Sequence, residues 1–121
     1  MKDYATLTDF EINKAVAENL PYTHVIGDGK YPSISDDAVY VERKAWKYGN
    51  TEECGVDYCN NPSDAWPIIV ENRIDIALDS DGTTTASHYC YAIGDFLGWY
   101  NCENPLKAAM ICYLMIKDAE K

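Results

Sequence analysis

The side chains that could do chemistry are few and scattered. The thiols stand at Cys54, Cys59, Cys90, Cys102 and Cys112, and the imidazoles at His24 and His88. Two stretches echo each other, CNNPSDAWPII from Cys59 and CENPLKAAMIC from Cys102, both reading Cys-x-Asn-Pro-x-x-Ala. A fold that gathered Cys54, Cys59, Cys102 and His88 would make a zinc site. However, the Cys54-x4-Cys59 spacing is looser than a zinc knuckle, and the other ligands lie far off in sequence. No Ser or Cys occupies a nucleophile motif such as GxSxG. Asp79-Ser-Asp-Gly begins like a calcium loop, but the twelfth position is Cys90, where such a loop needs Glu. Gly27-Asp-Gly lacks the rest of a phosphate-binding loop. No catalytic residue, metal ligand or cofactor is indicated, and the residues point away from an enzyme; a small enzyme or metal-binding protein stays as an alternative.

The echo has a simpler reading as a helix start used twice. Asn61 and Asn104 can each cap free amides, and Pro62 and Pro105 fit the first helical position, where a missing N–H costs nothing. The later copy runs on through LKAAMICYLMIKDAE, apolar around most of its circumference, which predicts a central, buried helix over 104–118. Leu106, Ala109, Met110, Tyr113, Leu114 and Ile116 should carry much of the core. Lys107 opposes the helix dipole in the first turn, a mismatch with no local explanation. In the earlier copy Pro67 removes a helical hydrogen bond, so a short kinked helix is expected over 61–72, or a single turn followed by a second start near Asp64. Asn61, Pro62, Asp64, Trp66 and Pro67 are read as a rigid structural corner. Trp66 is expected to be its buried anchor, with Ile69 and Val70 also reaching the core.

The first helix, about 8–20, is signposted by a capping box of Thr8 and Glu11 and a hydrophobic staple of Leu7 and Ile12. Ile12, Ala15, Val16 and Leu20 recur at helical spacing, and Pro21 ends the run. Strands are expected at His24–Ile26, along AVYVERKAWKY from Ala38, along RIDIAL from Arg73 and along TASHYCYAI from Thr85. The last two should form a hairpin, while GNTEECGVD from Gly49 reads as a loop or hairpin tip. The expectation is one α+β domain over 1–121. A small antiparallel sheet of three to four strands packs against two main helices and the short kinked one.

Lys and Arg number 10 against 20 Asp and Glu, for a formal charge of -10. Such a field repels polyphosphates, so direct nucleic-acid binding is not expected. The N-terminus lacks a signal-peptide run and no stretch reaches transmembrane length, so no membrane association is expected and the cytoplasm is the default compartment. Five scattered cysteines fit free thiols there. Ten tyrosines and three tryptophans are the informative excess, because these rings suit both sheets and protein interfaces. Tyr40, Trp46, Tyr48, Tyr58, Tyr89, Tyr91 and Tyr100 are the candidate interaction surface.

TDFEINKAVAE, CNNPSDAWPIIVENRI and ENPLKAAMICYLM resemble the ninX-like family of small tailed-phage proteins, bracketing about Leu7 to Met115. The resemblance implies a phage-encoded accessory protein acting in the host bacterial cytoplasm, and it carries over no catalytic residue. Its expected role is a non-enzymatic module that binds a host or phage protein, with a homo-oligomer left open. The alternative is an acidic nucleic-acid mimic that inhibits a defence nuclease.

Overall fold

The computed structural model describes residues 4–20, 24–26, 39–44 and 51–120, with side chains described for 4–20 and 56–120. A 3-10 turn (Tyr4–Thr6) leads into helix α1 (Asp9–Glu18). Strands β1 (His24–Ile26), β2 (Val39–Lys44) and β3 (Thr51–Val56) form an antiparallel sheet in that order. Helix α2 (Pro62–Glu71) follows, then β4 (Asp75–Leu78), β5 (Thr84–Cys90) and β6 (Asp95–Cys102), a second antiparallel sheet ordered β4-β5-β6. Helix α3 (Pro105–Ala119) closes the described chain. This is the expected α+β class, with a three-stranded sheet at each of two places rather than one sheet.

Every residue from Ala108 to Leu114 is buried, which only a helix covered on all sides can achieve. One side of α3 meets β5 and β6, and the other meets α1 and α2. The capping box of α1 forms as expected, with Glu11 N–H donating to Thr8 Oγ1 at 3.2 Å and Thr8 N–H donating to Glu11 Oε1 at 3.1 Å. Asn61 and Asn104 cap α2 and α3, accepting from Ser63 N and from Leu106 N and Lys107 N.

Three expectations need correction. The stretch expected as a loop or hairpin tip contains β3, which pairs with β2 from Lys44↔Thr51 to Val39↔Val56. Its Glu-Glu-Cys-Gly centre has weak strand preference, and pairing with β2 overrides it. Second, β6 was not anticipated, although Phe96, Trp99 and Tyr100 are strand-favouring rings. Third, Trp66 is not a buried anchor: it is 60% exposed, and Val70 is exposed beside it. At about 100° per residue, burying Ala65, Ile68 and Ile69 turns positions 66 and 70 outward. Pro67 lies inside a single ten-residue helix, with no separate second start near Asp64. It and Ser63 are exposed, so the Ser63 carbonyl freed by the proline can be hydrated.

Helix α2 ends in a Schellman motif, with Ile74 N–H donating to Ile69 O at 3.0 Å and Arg73 N–H to Val70 O at 3.3 Å. Arg73 takes the left-handed position, φ 56°, usually held by glycine. Buried Ile74 then delivers the chain into β4.

Candidate functional site

Along β5, Thr84 and Ala86 are buried on the side that meets α3. Side chains alternate across a strand, so Thr85, Ser87 and Tyr89 stand on the opposite, outer face. The register then places Thr85 between Ala77 and Asn101, Ser87 between Asp75 and Trp99, and Tyr89 beside Phe96. No helix covers this face among the described residues. Its two ends differ in chemistry.

At the polar end, Thr85 Oγ1 donates to Asp79 Oδ2 at 2.8 Å. Asn101 Nδ2 reaches Asp79 Oδ2, Thr83 Oγ1 and Thr85 Oγ1 at 3.2, 2.9 and 3.0 Å. The other end is aromatic. Tyr89 stacks edge-on against Tyr91 and Phe96, with ring centroids 4.8 and 5.1 Å apart. The β5–β6 turn closes through Gly94 N–H donating to Cys90 O at 2.9 Å, with Gly94 in the left-handed region. Tyr91 at 90% exposure and Ile93 at 63% stand at its tip, while Phe96 (50%) and Trp99 (54%) continue the patch along β6.

The strand β6 carries a bulge. His88 pairs with Gly98 and Tyr89 with Phe96, leaving Leu97 as the extra residue. Beside β6 runs a groove of about 320 Å³. Residues 96–99 form one wall, and Tyr4, Met115 and Asp118 form the other. The Tyr4 hydroxyl donates to Asp118 Oδ2, and burial followed by this carboxylate pushes its pKa up. A larger groove, about 500 Å³, runs among α1, α2 and α3, but its walls mix Asp64 and Glu71 with Lys117 and include none of the exposed rings of the hairpin. The β6 groove adjoins those rings.

Of the tyrosines expected to meet a partner, Tyr89 and Tyr91 lie in the aromatic patch and Tyr100 is half-buried on β6. Tyr58 is 1% exposed and belongs to the core, so it is removed from the surface. The side chain of Tyr40 and residues Trp46 and Tyr48 lie outside the described residues. Ile93, Phe96 and Trp99 were missed, though the run FLGWY carries an aromatic signal as strong as any in the chain.

The two echoing helix starts meet each other. Asn104 Nδ2 donates to Cys59 O at 2.8 Å and Asn60 Oδ1 at 3.2 Å. The start of α1 joins them through Asn60 Nδ2 to Asp9 Oδ2 at 3.1 Å and a Lys107–Asp9 ion pair at 2.9 Å. Lys107 thus stands in the first turn of α3 because Asp9 holds it there. That hydrogen bond, and then the one from Asn60, keeps the Asp9 carboxyl below its usual range, while Asp9 raises the Lys107 ammonium. Buried Asn13 accepts from Cys59 N–H at 3.1 Å and donates to Asp57 Oδ1 at 3.0 Å. Burial, with Asp9 and Asp57 nearby, pushes the Cys59 thiol up to about 12, so it stays protonated at neutral pH and is a poor nucleophile. Burial also pushes Cys112 up to about 12. His88 Nδ1 lies 3.1 Å from Arg73 O, and no His, Cys, Asp and Glu cluster among the described residues could hold a metal ion. The node is a structural joint between helix starts.

No helix among the described residues is long and apolar enough to cross a membrane. Comparison with curated proteins and with solved structures returned no match. The family model described as Bacteriophage P22, NinX matches residues 3–117, the span holding all three helix starts and both sheets. The chain therefore belongs to the phage P22 NinX family.

Proposed function

We propose that this phage accessory protein is a non-enzymatic interaction module that binds a host or phage protein through the outer face of the β4-β5-β6 sheet. The observation that carries the reading is the contiguous exposed set Tyr89, Tyr91, Ile93, Phe96 and Trp99 on one hairpin. Large rings left in water next to a groove are what interface anchors look like before a partner covers them. Capture from bacterial lysate with and without phage infection, comparing wild type with a Phe96→Ser/Trp99→Ala variant, tests it. A stoichiometric protein retained by the wild type and lost by the folded variant is the expected result. Equal capture by both, or none by either, overturns it.

The net charge of -10 favours a second reading, an acidic inhibitor that occupies the nucleic-acid channel of a defence nuclease. Plaque counts on defence-bearing and defence-free bacteria, with and without the protein, decide it: protection confined to the defence-bearing strain supports it, and equal ratios refute it.

A further inference from the structure

Within the interaction reading, on which this step rests, the geometry points to a particular kind of partner. We propose that β6 accepts an extended basic segment of the partner protein as a fourth strand, with cationic side chains on the outer face and apolar ones in the groove. Among the described residues, the sheet order leaves β6 as an edge of eight residues, against four for the opposite edge β4. Natural edges are commonly blunted by Lys, Pro or shortness, and β6 has neither residue and is the longest strand of its sheet. It carries a bulge at Leu97, which leaves the run from Gly98 to Cys102 in regular register.

Groove and edge coincide over residues 96–99. The groove is walled by residues 96–99 of the same strand, with Met115 and Tyr4 opposite, so an added strand would lie in it. Successive side chains of such a strand point to alternate faces. One set would enter the groove over Leu97 and Met115; the other would lie beside Phe96 and Trp99. Charge decides what the second set should be. Between residues 74 and 106 the chain has no Lys or Arg, yet it holds Asp75, Asp79, Asp81, Asp95 and Glu103. Asp75 shares an outer-face rung with Trp99. Lys117, next in sequence to Asp118, is turned over the Tyr113 ring and lines the other groove. Exposed aromatic faces flanked by carboxylates attract guanidinium and ammonium groups. Main-chain pairing supplies affinity, and alternate side chains supply selectivity.

The test is a fluorescence-anisotropy titration of the full chain with labelled peptides as long as β6. One alternates Arg and Val, a second alternates Glu and Val, and two more are Arg–Val peptides N-methylated on one or the other alternate set of amides. The Arg–Val peptide should bind at least about ten-fold tighter than the Glu–Val peptide, weakening as salt rises from about 50 to about 500 mM. One N-methylated set should abolish binding and the other should not. Trp99→Ala, with its circular dichroism unchanged, should weaken binding by about ten-fold. Equal binding of the two charge types, or indifference to both N-methylated sets, overturns the proposal. So does a dimer in sedimentation that Trp99→Ala disperses, since a second copy would then occupy the edge. Lysate capture that depends on Phe96 and Trp99, without preference for the Arg–Val peptide, would overturn this proposal while leaving the interaction reading standing.

Discussion

Replacing Gly98 with Ala should be among the most damaging single-methyl changes in the protein. Gly98 sits on β6 where the strand meets α3, opposite His88. A Cβ there would stand 2.7 Å from the Cys112 carbonyl oxygen and 2.9 Å from the Cys112 sulfur. The carbonyl belongs to the middle of the Ala108–Leu114 run, buried on every side, so α3 has nowhere to retreat. The strand must give way instead, by about half an ångström or more, in a core packed as densely as an organic crystal. Overpacking of that kind costs about 2 to 3 kcal/mol. Alanine's lower unfolded-state entropy returns about 0.5 kcal/mol, for a net loss of about 1.5 to 2.5. For a chain of this length that lowers Tm by roughly 5 to 12 °C.

Thermal and urea melts of Gly98→Ala against Gly82→Ala make the comparison sharp. Gly82 has a φ of 89° with open space around it, so alanine there meets backbone strain alone, about 1 kcal/mol. A Cys112→Ala background removes the sulfur and leaves the closer carbonyl, so it should rescue Gly98→Ala only in part. Gly98→Ala within about 0.5 kcal/mol of wild type, or full rescue by Cys112→Ala, would refute the close approach of β6 to α3.

Other changes should follow the same geometry. Trp66→Ala should cost about 1 to 2 kcal/mol in urea melts, below the 3 to 5 that a buried ring loses, because most of the indole is already in water. Asn104→Ala should cost about 2 kcal/mol and Asn61→Ala about 1, since Asn104 both caps α3 and donates to Cys59 O; equal losses would deny the joint between helix starts. Arg73→Gly should stabilise by about 0.5 to 1 kcal/mol, by relieving the left-handed residue that ends α2. Compared with Lys107→Met, the wild type should hold an advantage of up to about 1 kcal/mol at neutral pH, modest because Asp9 is partly exposed. The Asp9 pKa is lowered, so that advantage is present above the ordinary carboxylate value of about 3.9 and lost as pH falls through the lowered one. The Lys107 pKa is raised, so the advantage also persists up to about 10.4 and is lost as pH rises through the raised value.

Features governed by local chemistry were legible. Thr8 with Glu11, Asn61 with Pro62 and Asn104 with Pro105 each satisfy orphan amides with neighbours a few residues away, and all three helices start there. The all-round apolar surface of α3 announced a central helix for the same reason. Apolar character alone points Trp66 inward, whereas helical phase turns it outward, because Ala65, Ile68 and Ile69 define the inward stripe. Tyr58 and Tyr91 carry the same side chain, one buried and one at a hairpin tip, and a ring with a polar end suits either place. What separates them is the tertiary position of the hairpin, which no local pattern encodes. Lys107 was unintelligible for a related reason, because Asp9 lies nearly a hundred residues earlier.

The same partition shapes the candidate site. One end of α3 is held by the joint of helix starts, through Asn104 and Lys107. Toward the other end, Asp118 accepts from Tyr4, which fixes the far wall of the β6 groove. Gly98 lets the strand approach Cys112, and the bulge at Leu97 lies immediately before it, between Phe96 and Gly98. Phe96 and Trp99 therefore stand on a rigid floor rather than on a free loop. Rings held in place before binding lose little rotamer freedom when a partner arrives. The core's tight packing beneath β6 and the exposure above it are thus two consequences of one strand lying unusually close to one buried helix.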